Sequence, residues 1–128
     1  VWSCRPERWV LSVYVLCLGG AALNHARLLA QLGWQLDPGA AVWQNVFWTS
    51  LTVLDALAVL LLMRRPWVGV RLAVLIMLAD VAVNVFSVRQ GMFELRALSP
   101  LLGQVAFLGF VLGSAPFLLR HGQRERDA

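Results

Sequence analysis

Two carboxylic acids, Asp55 and Asp80, sit near the middle of stretches otherwise apolar enough to cross a membrane. A carboxylate at the centre of a bilayer-spanning helix costs about 2.5–3.5 kcal/mol even on the lenient insertion scale, and each Leu, Ile, Val or Phe returns only about 0.3–0.6 kcal/mol. One such Asp cancels the insertion energy of roughly six to ten good apolar residues. An acid kept at that cost can hold a proton, pair with a cation or take a hydrogen bond where water is scarce.

Other polar residues follow helical spacing around these acids. Asn45, Thr49, Thr52 and Asp55, with Trp48 among them, step by four, three and three and so share one helix face. Asp80, Asn84 and Ser87 do the same, and Met77 extends their face. An earlier stretch lines up Tyr14, Cys17, Ala21 and the Asn24-His25 pair, and a later one offers Gln104 and a Gly109-x-x-x-Gly113 ridge. Polar faces turned to lipid are unstable, so each of these is expected to point inward.

The elements that must position them are four apolar runs: Trp9–Leu32, Trp43–Met63, Trp67–Val88 and Leu98–Leu119. Each has about the 20 residues that a helix rising 1.5 Å per residue needs to cross a hydrocarbon core of ~30 Å. Of 128 residues, 59% are hydrophobic and 14% charged, against about 25% charged in a soluble domain. The segments between the runs are short and hold the breakers: Gly33 with Asp37-Pro38-Gly39, then Arg64-Arg65-Pro66, then Gly91 through Ser99-Pro100. The expected fold is all-α, one integral membrane domain over residues 1–128, formed as an antiparallel four-helix bundle. The first run is expected to be a membrane helix rather than a cleaved signal peptide, because it is longer than the usual apolar region of 7–15 residues.

Arginine placement sets the expected orientation. Arg5, Arg8, Arg64, Arg65, Arg71, Arg120, Arg124 and Arg126 fall on one side; Arg27, Arg89 and Arg96 fall on the other. The positive-inside rule then puts both termini in the cytoplasm. Trp9, Trp34, Trp43 and Trp67 fall at helix ends, where amphipathic rings favour the headgroup layer. The formal charge is +4, yet the arginines flank helices instead of forming a stripe with exposed aromatics, which argues against nucleic acid as a partner. The basic residues are all Arg, with no Lys, a bias that suggests a GC-rich bacterial genome and hence an inner membrane. Cys4 and Cys17 lie 13 residues apart, about 20 Å along one helix, too far for a disulfide. No Gly-rich phosphate loop, paired CxxC or HExxH occurs, and no cofactor is expected.

Depth adds to the facing. Counted from the outer boundary at 1.5 Å per residue, Asn84 lies about 8 Å deep, His25 about 11 Å, Asp80 about 14 Å and Asp55 about 18 Å, with Gln104 and Thr49 at roughly 8–10 Å. The inner half is nearly pure Leu, Val, Ala and Ile. The expectation is a polar-floored cavity reached from the outer side, lined by Asp55, Asp80, His25, Asn84, Asn24, Trp48, Thr52 and Tyr14, with Phe86 as a further wall. The plainer alternative for Asn24, Asn84, Thr49 and Gln104 is interhelical hydrogen bonding, worth about 0.6 kcal/mol per contact. Gly109 and Gly113 read as a close-packing ridge, and His25 as a partner of Asp80 or of a backbone carbonyl. Arg27 and Arg89 lie at the outer rim, as counter-ions or snorkelling side chains.

The runs Trp9-Val-Leu-Ser-Val-Tyr14 and Phe47-Trp48-Thr-Ser50-Leu-Thr-Val-Leu-Asp55 resemble the EXPERA group of four-helix membrane proteins, which includes the emopamil-binding-protein sterol isomerases and their ligand-binding relatives. The resemblance covers at most the first two helices. It implies an intramembrane pocket in which acids meet a cationic amine or a carbocation, with Asp55 matching the second-helix acid. Asn24-His25 falls near a first-helix acid of that group, which is absent here, and the third helix lacks the histidine pattern of an isomerase. The chain is also similar to short four-helix bacterial membrane proteins with a Phe-Trp-x-Ser-Leu-x-x-Leu-Asp run.

The function expected first is binding of an apolar or cationic amphiphilic ligand, or a membrane lipid, that reaches the acids sideways from the bilayer. A small proton-coupled exporter working as a homodimer is the second possibility, although such transporters place an acid in the first helix and this chain does not. Proton transfer on a membrane lipid by an acid with His25 is a third. A metal site is disfavoured, since one membrane His without ligand spacing is a poor donor set. A non-catalytic accessory subunit, whose polar cluster fixes helix register, is the last.

Overall fold

A computed structural model of the chain describes residues 5–91 and 98–128. The described residues form four α-helices: α1 Arg5–Leu32, α2 Val42–Arg64, α3 Pro66–Arg89 and α4 Leu98–Asp127. All four are long and apolar enough to cross a membrane. The expected boundaries hold within a residue for α2 and α3. By contrast α1 begins one turn early and α4 runs about two turns past Leu119. Cys4, Glu94 and Arg96 lie outside the described residues, as does most of the expected third connection.

Each helix ends for a local reason. Gly33 and Gly91 take φ values of +78° and +70°, a left-handed backbone that glycine adopts without a Cβ penalty and that closes α1 and follows α3. The α1–α2 connection is tied to α2 by Asn45. Its Oδ1 accepts the Asp37 N–H at 2.9 Å and its Nδ2 donates to the Asp37 carbonyl at 2.8 Å. Asn45 is thus buried on the same side of α2 as Trp48 and Asp55, and it spends its amide on the first loop. Between α2 and α3 stands Arg65 alone, followed by Pro66 at the first position of α3, where the missing N–H costs nothing.

Packing runs in chain order: α1 against α2, α2 against α3, and α3 against α4, with α1 and α4 touching only sparsely. The core is built from residues such as Tyr14, Leu18, Leu51, Ala58, Val70 and Val111. In the most apolar stretch of each helix only 17–33% of the residues are buried. Leu16, Leu23, Val53, Leu75 and Leu102 face outward. A bundle whose outer surface is this apolar is built for lipid rather than water. Trp9, 75% exposed, and Trp34 and Trp43, about half exposed, stand near helix ends as amphipathic anchors do. The chain is a multi-pass membrane protein by the length and composition of its helices.

A close backbone approach occurs at Gly69. A Cβ there would collide with the Leu62 backbone nitrogen and come within 2.7 Å of Leu62 Cα. The expected ridge at Gly109 and Gly113 does not pack this way; a Cβ at either position meets nothing within 4 Å. Spacing alone marks a ridge as available for close packing, and both glycines stand on the exposed side of α4.

Candidate functional site

Asn84 is the junction of the polar interior. Trp48 Nε1 on α2 donates to its Oδ1 at 3.0 Å. Its Nδ2 donates to Asp80 Oδ1 one turn back on α3 at 3.0 Å and to Gln104 Oε1 on α4 at 2.8 Å. One amide thereby joins three helices and fixes one oxygen of Asp80. The i to i+4 step from Asp80 to Asn84 makes the first link a property of the helix, and the other two depend on how α2 and α4 approach α3.

Asp55 is placed differently. Its nearest polar partner is His25 on α1, with Nε2 3.8 Å from Asp55 Oδ2, beyond hydrogen-bond reach. The Asp55 side chain is 4% exposed and that of His25 15%. The Nδ1 atom of His25 is also buried without a hydrogen-bond partner. In place of the expected bond to Asp80 or a backbone carbonyl, His25 approaches Asp55, because α1 packs chiefly on α2.

The two acids share a cavity of two adjoining lobes. The first, about 360 Å³, is lined by Asp80, Asn84, Trp48, His25, Asn24 and Gln104 together with the leucines 28, 32, 36 and 101. The second, about 350 Å³, has walls from Asp55, Asp80, His25, Asn24, Gln104, Met77, Cys17, Ala21, Gly103 and Phe107. Both volumes lie within the range of small-molecule sites, about 300–1,000 Å³. The side walls contributed by α1 and α4 are the two helices with few mutual contacts, so the cavity occupies the seam between them. At its far end the seam is shut by Tyr14, whose hydroxyl donates to the Val111 carbonyl at 3.1 Å and lies 2.9 Å from Ser114 Oγ.

The chain matches no known protein family, no curated protein and no solved structure.

Six of the eight expected site residues meet at this cavity: Asp55, Asp80, His25, Asn84, Asn24 and Trp48. Asn24 is at its rim, accepting from Arg27 Nη2 at 3.1 Å. Tyr14 and Thr52 do not line it. Tyr14 is fully buried against α4, edge-on to Phe107 with ring centroids 6.0 Å apart. Thr52 keeps its Oγ1 buried and without a hydrogen-bond partner, away from both lobes. Thr49 donates to the Trp34 carbonyl at 2.9 Å, a loop tether. Phe86, 44% exposed, lies tilted at 49° against Trp43 outside the cavity. Arg27 and Arg89 form no ion pair with either acid.

Three features escaped the pattern of single helices. Gln44 Nε2 donates to Ser87 Oγ at 2.8 Å, a buried α2–α3 tie. Phe107 reaches the second lobe, and its place one turn after Gln104 could have signalled that. Glu7, 1% exposed, meets His121 Nε2 at 2.7 Å and joins the start of α1 to the extension of α4. Beside them Arg126 lies 4.9 Å over the Trp67 ring. Among the described residues no group of three or more His, Cys, Asp or Glu is placed to hold a metal ion.

Proposed function

We propose that this chain is an antiparallel four-helix protein of a bacterial inner membrane, with both termini cytoplasmic, that binds a cationic amphiphile in its intramembrane cavity. The observation that carries the reading is Asp55. Its carboxylate is almost fully buried, accepts no hydrogen bond among the described residues and faces a space that it shares with Asp80. A buried acid that accepts no hydrogen bond is costly, and a cation supplied from outside the chain removes that cost. Asp80 contributes a second carboxylate, steadied by Asn84. The leucines of the first lobe suit an apolar tail, and the sparsely packed seam between α1 and α4 suits sideways access from lipid. The arginine asymmetry supports the orientation. The resemblance of the Phe47–Asp55 run to EXPERA proteins fits the same role for Asp55.

Binding of a long-chain alkylamine to the full chain in lipid nanodiscs tests the ligand. Asp55→Asn is expected to weaken it about tenfold or more, the effect of losing a buried charge-assisted contact. Unchanged binding in both Asp55→Asn and Asp80→Asn defeats the proposal. Amine-driven proton movement in proteoliposomes would turn the reading toward an exporter. Labelling of single cysteines at positions 39 and 124 from either side of sealed vesicles tests the orientation, with position 124 expected inside.

A further inference from the structure

Hydrogen bonds within the protein leave a defined set of acceptors facing the second lobe. Asn84 Nδ2 donates to Asp80 Oδ1 and to Gln104 Oε1, so both of its hydrogens are committed. Asp80 is left with one oxygen bonded and the other open among the described residues. Asp55 accepts no hydrogen bond among them, and His25 Nε2, 3.8 Å away, is beyond reach of one. Two oxygens of Asp55 and one of Asp80 are thus open, on two acids that line the same lobe. They are not sealed in protein as His25 Nδ1 and Thr52 Oγ1 are.

Donors and positive charge are scarce around these oxygens. Trp48 Nε1 is spent on Asn84 Oδ1 at 3.0 Å. Among the described residues no arginine pairs with either acid. Two carboxylates in one largely apolar enclosure repel each other and are poorly solvated, and a cation seated between them relieves both costs. An alkylammonium brings that charge with a variable number of donors. A primary ammonium carries three N–H groups, each N-methyl group removes one, and a quaternary ammonium carries charge alone.

Resting on the ligand reading above, we propose that Asp55 and Asp80 form one socket for a primary ammonium, so that the site selects primary alkylamines over N-methylated ones of equal chain length. The three N–H groups are met by the two Asp55 oxygens and the open oxygen of Asp80. The alkyl tail continues into the leucine-lined first lobe, which Asp80 also borders. A quaternary ammonium brings the same charge and leaves all of these oxygens buried without a donor, the costly state for a buried acceptor. Asn84 acts as a positioning residue: by bonding Asp80 Oδ1 it decides which oxygen is left for the ligand.

The test uses the full chain in nanodiscs and cations with one tail: dodecylamine and its N-methyl, N,N-dimethyl and N,N,N-trimethyl derivatives. Each is corrected for partition into protein-free nanodiscs. Affinity is read by protection of Cys17, which lines the second lobe, from a thiol reagent in a Cys4→Ser chain. It is expected to fall about threefold or more with each methyl group, as for one membrane hydrogen bond, and about thirtyfold from dodecylamine to the quaternary cation. Asp80→Asn keeps an oxygen for Asn84 and puts an amide NH2 where the open oxygen stood, so the primary-to-quaternary ratio should drop about threefold or more. The series on the native chain needs no such variant and decides the matter if Asp80→Asn does not fold. Equal or tighter binding of the quaternary cation to the native chain overturns the socket, as does an unchanged ratio in folded Asp80→Asn. If Asp55→Asn still weakens every cation in that case, the ligand reading survives. If none of the cations binds the native chain, both proposals fall.

Discussion

His25 Nε2 on α1 stands 3.8 Å from Asp55 Oδ2 on α2, while Asp80 on α3 takes its hydrogen bond from Asn84. The two acids therefore share a cavity and differ in what holds them. Asp80 is part of a network spanning α2, α3 and α4, and it helps position helices. Asp55 stands beside an imidazole that is too far away for a hydrogen bond. A carboxylate so placed contributes little to holding the helices together, which separates its function from its contribution to stability.

That separation predicts opposite outcomes in two assays. Asp55→Asn keeps the shape and removes the buried charge, so resistance to unfolding in detergent should be unchanged or raised. Amine binding should be lost in the same variant. A thermal unfolding curve shifted clearly downward would mean that Asp55 serves the fold.

Asn84→Leu should behave in the reverse sense. It leaves Trp48 Nε1, Gln104 and Asp80 without their shared partner. At about 0.6 kcal/mol per membrane hydrogen bond, the loss of three contacts comes to about 2 kcal/mol. Unfolding free energy measured in bicelles checks this value, and a change below about 0.5 kcal/mol would contradict the junction role.

The glycines provide a paired prediction. Gly69→Val forces a side chain into the α2 backbone at Leu61 and Leu62, so it should destabilise by about 1–3 kcal/mol or more, as overpacking does. Gly109→Val and Gly113→Val meet open space and should leave the unfolding of a single chain within about 0.5 kcal/mol of the original. Equal effects at positions 69 and 109 would refute the packing described for α2 and α3.

Glu7 and His121 should be energetically coupled. Glu7 is buried and its closest partner is 2.7 Å away on α4, so a double-mutant cycle through Glu7→Gln and His121→Ala should return about 0.5–3 kcal/mol. Each single variant should also fray the last two turns of α4, read as faster amide exchange over residues 120–127. Additive effects would mean the contact does not fasten α1 to α4.

The helices were readable from the chain because the signals are local. Apolar runs of about twenty residues need no tertiary partner to declare themselves, and Gly33, Pro66 and Gly91 stop or start helices through their own φ preferences. Where a helix outlasts its apolar run, the signal fails. The extra turns of α4 are anchored by Glu7 and Trp67, which are distant in sequence. For the candidate site, helical spacing placed Asp80 with Asn84, and depth put Asn84, Gln104, His25 and Asp80 in the outer half with Asp55 nearest the midplane. Spacing could not say that Tyr14 bonds across to Val111, that Thr49 tethers the Trp34 carbonyl, or that Asn45 holds the first loop. Each of these lies on a polar face whose outlet depends on the neighbouring element.

The sequence by itself determined that four helices form, that they are apolar enough for a membrane and that two acids are buried among them, since composition and period-3.6 spacing act within one helix at a time. Only the tertiary structure decided which acid meets His25, which is tied by Asn84, and that a cavity lies along the seam of α1 and α4. Those outcomes depend on the order in which helices pack side by side, and that order is set by contacts between residues far apart in the chain.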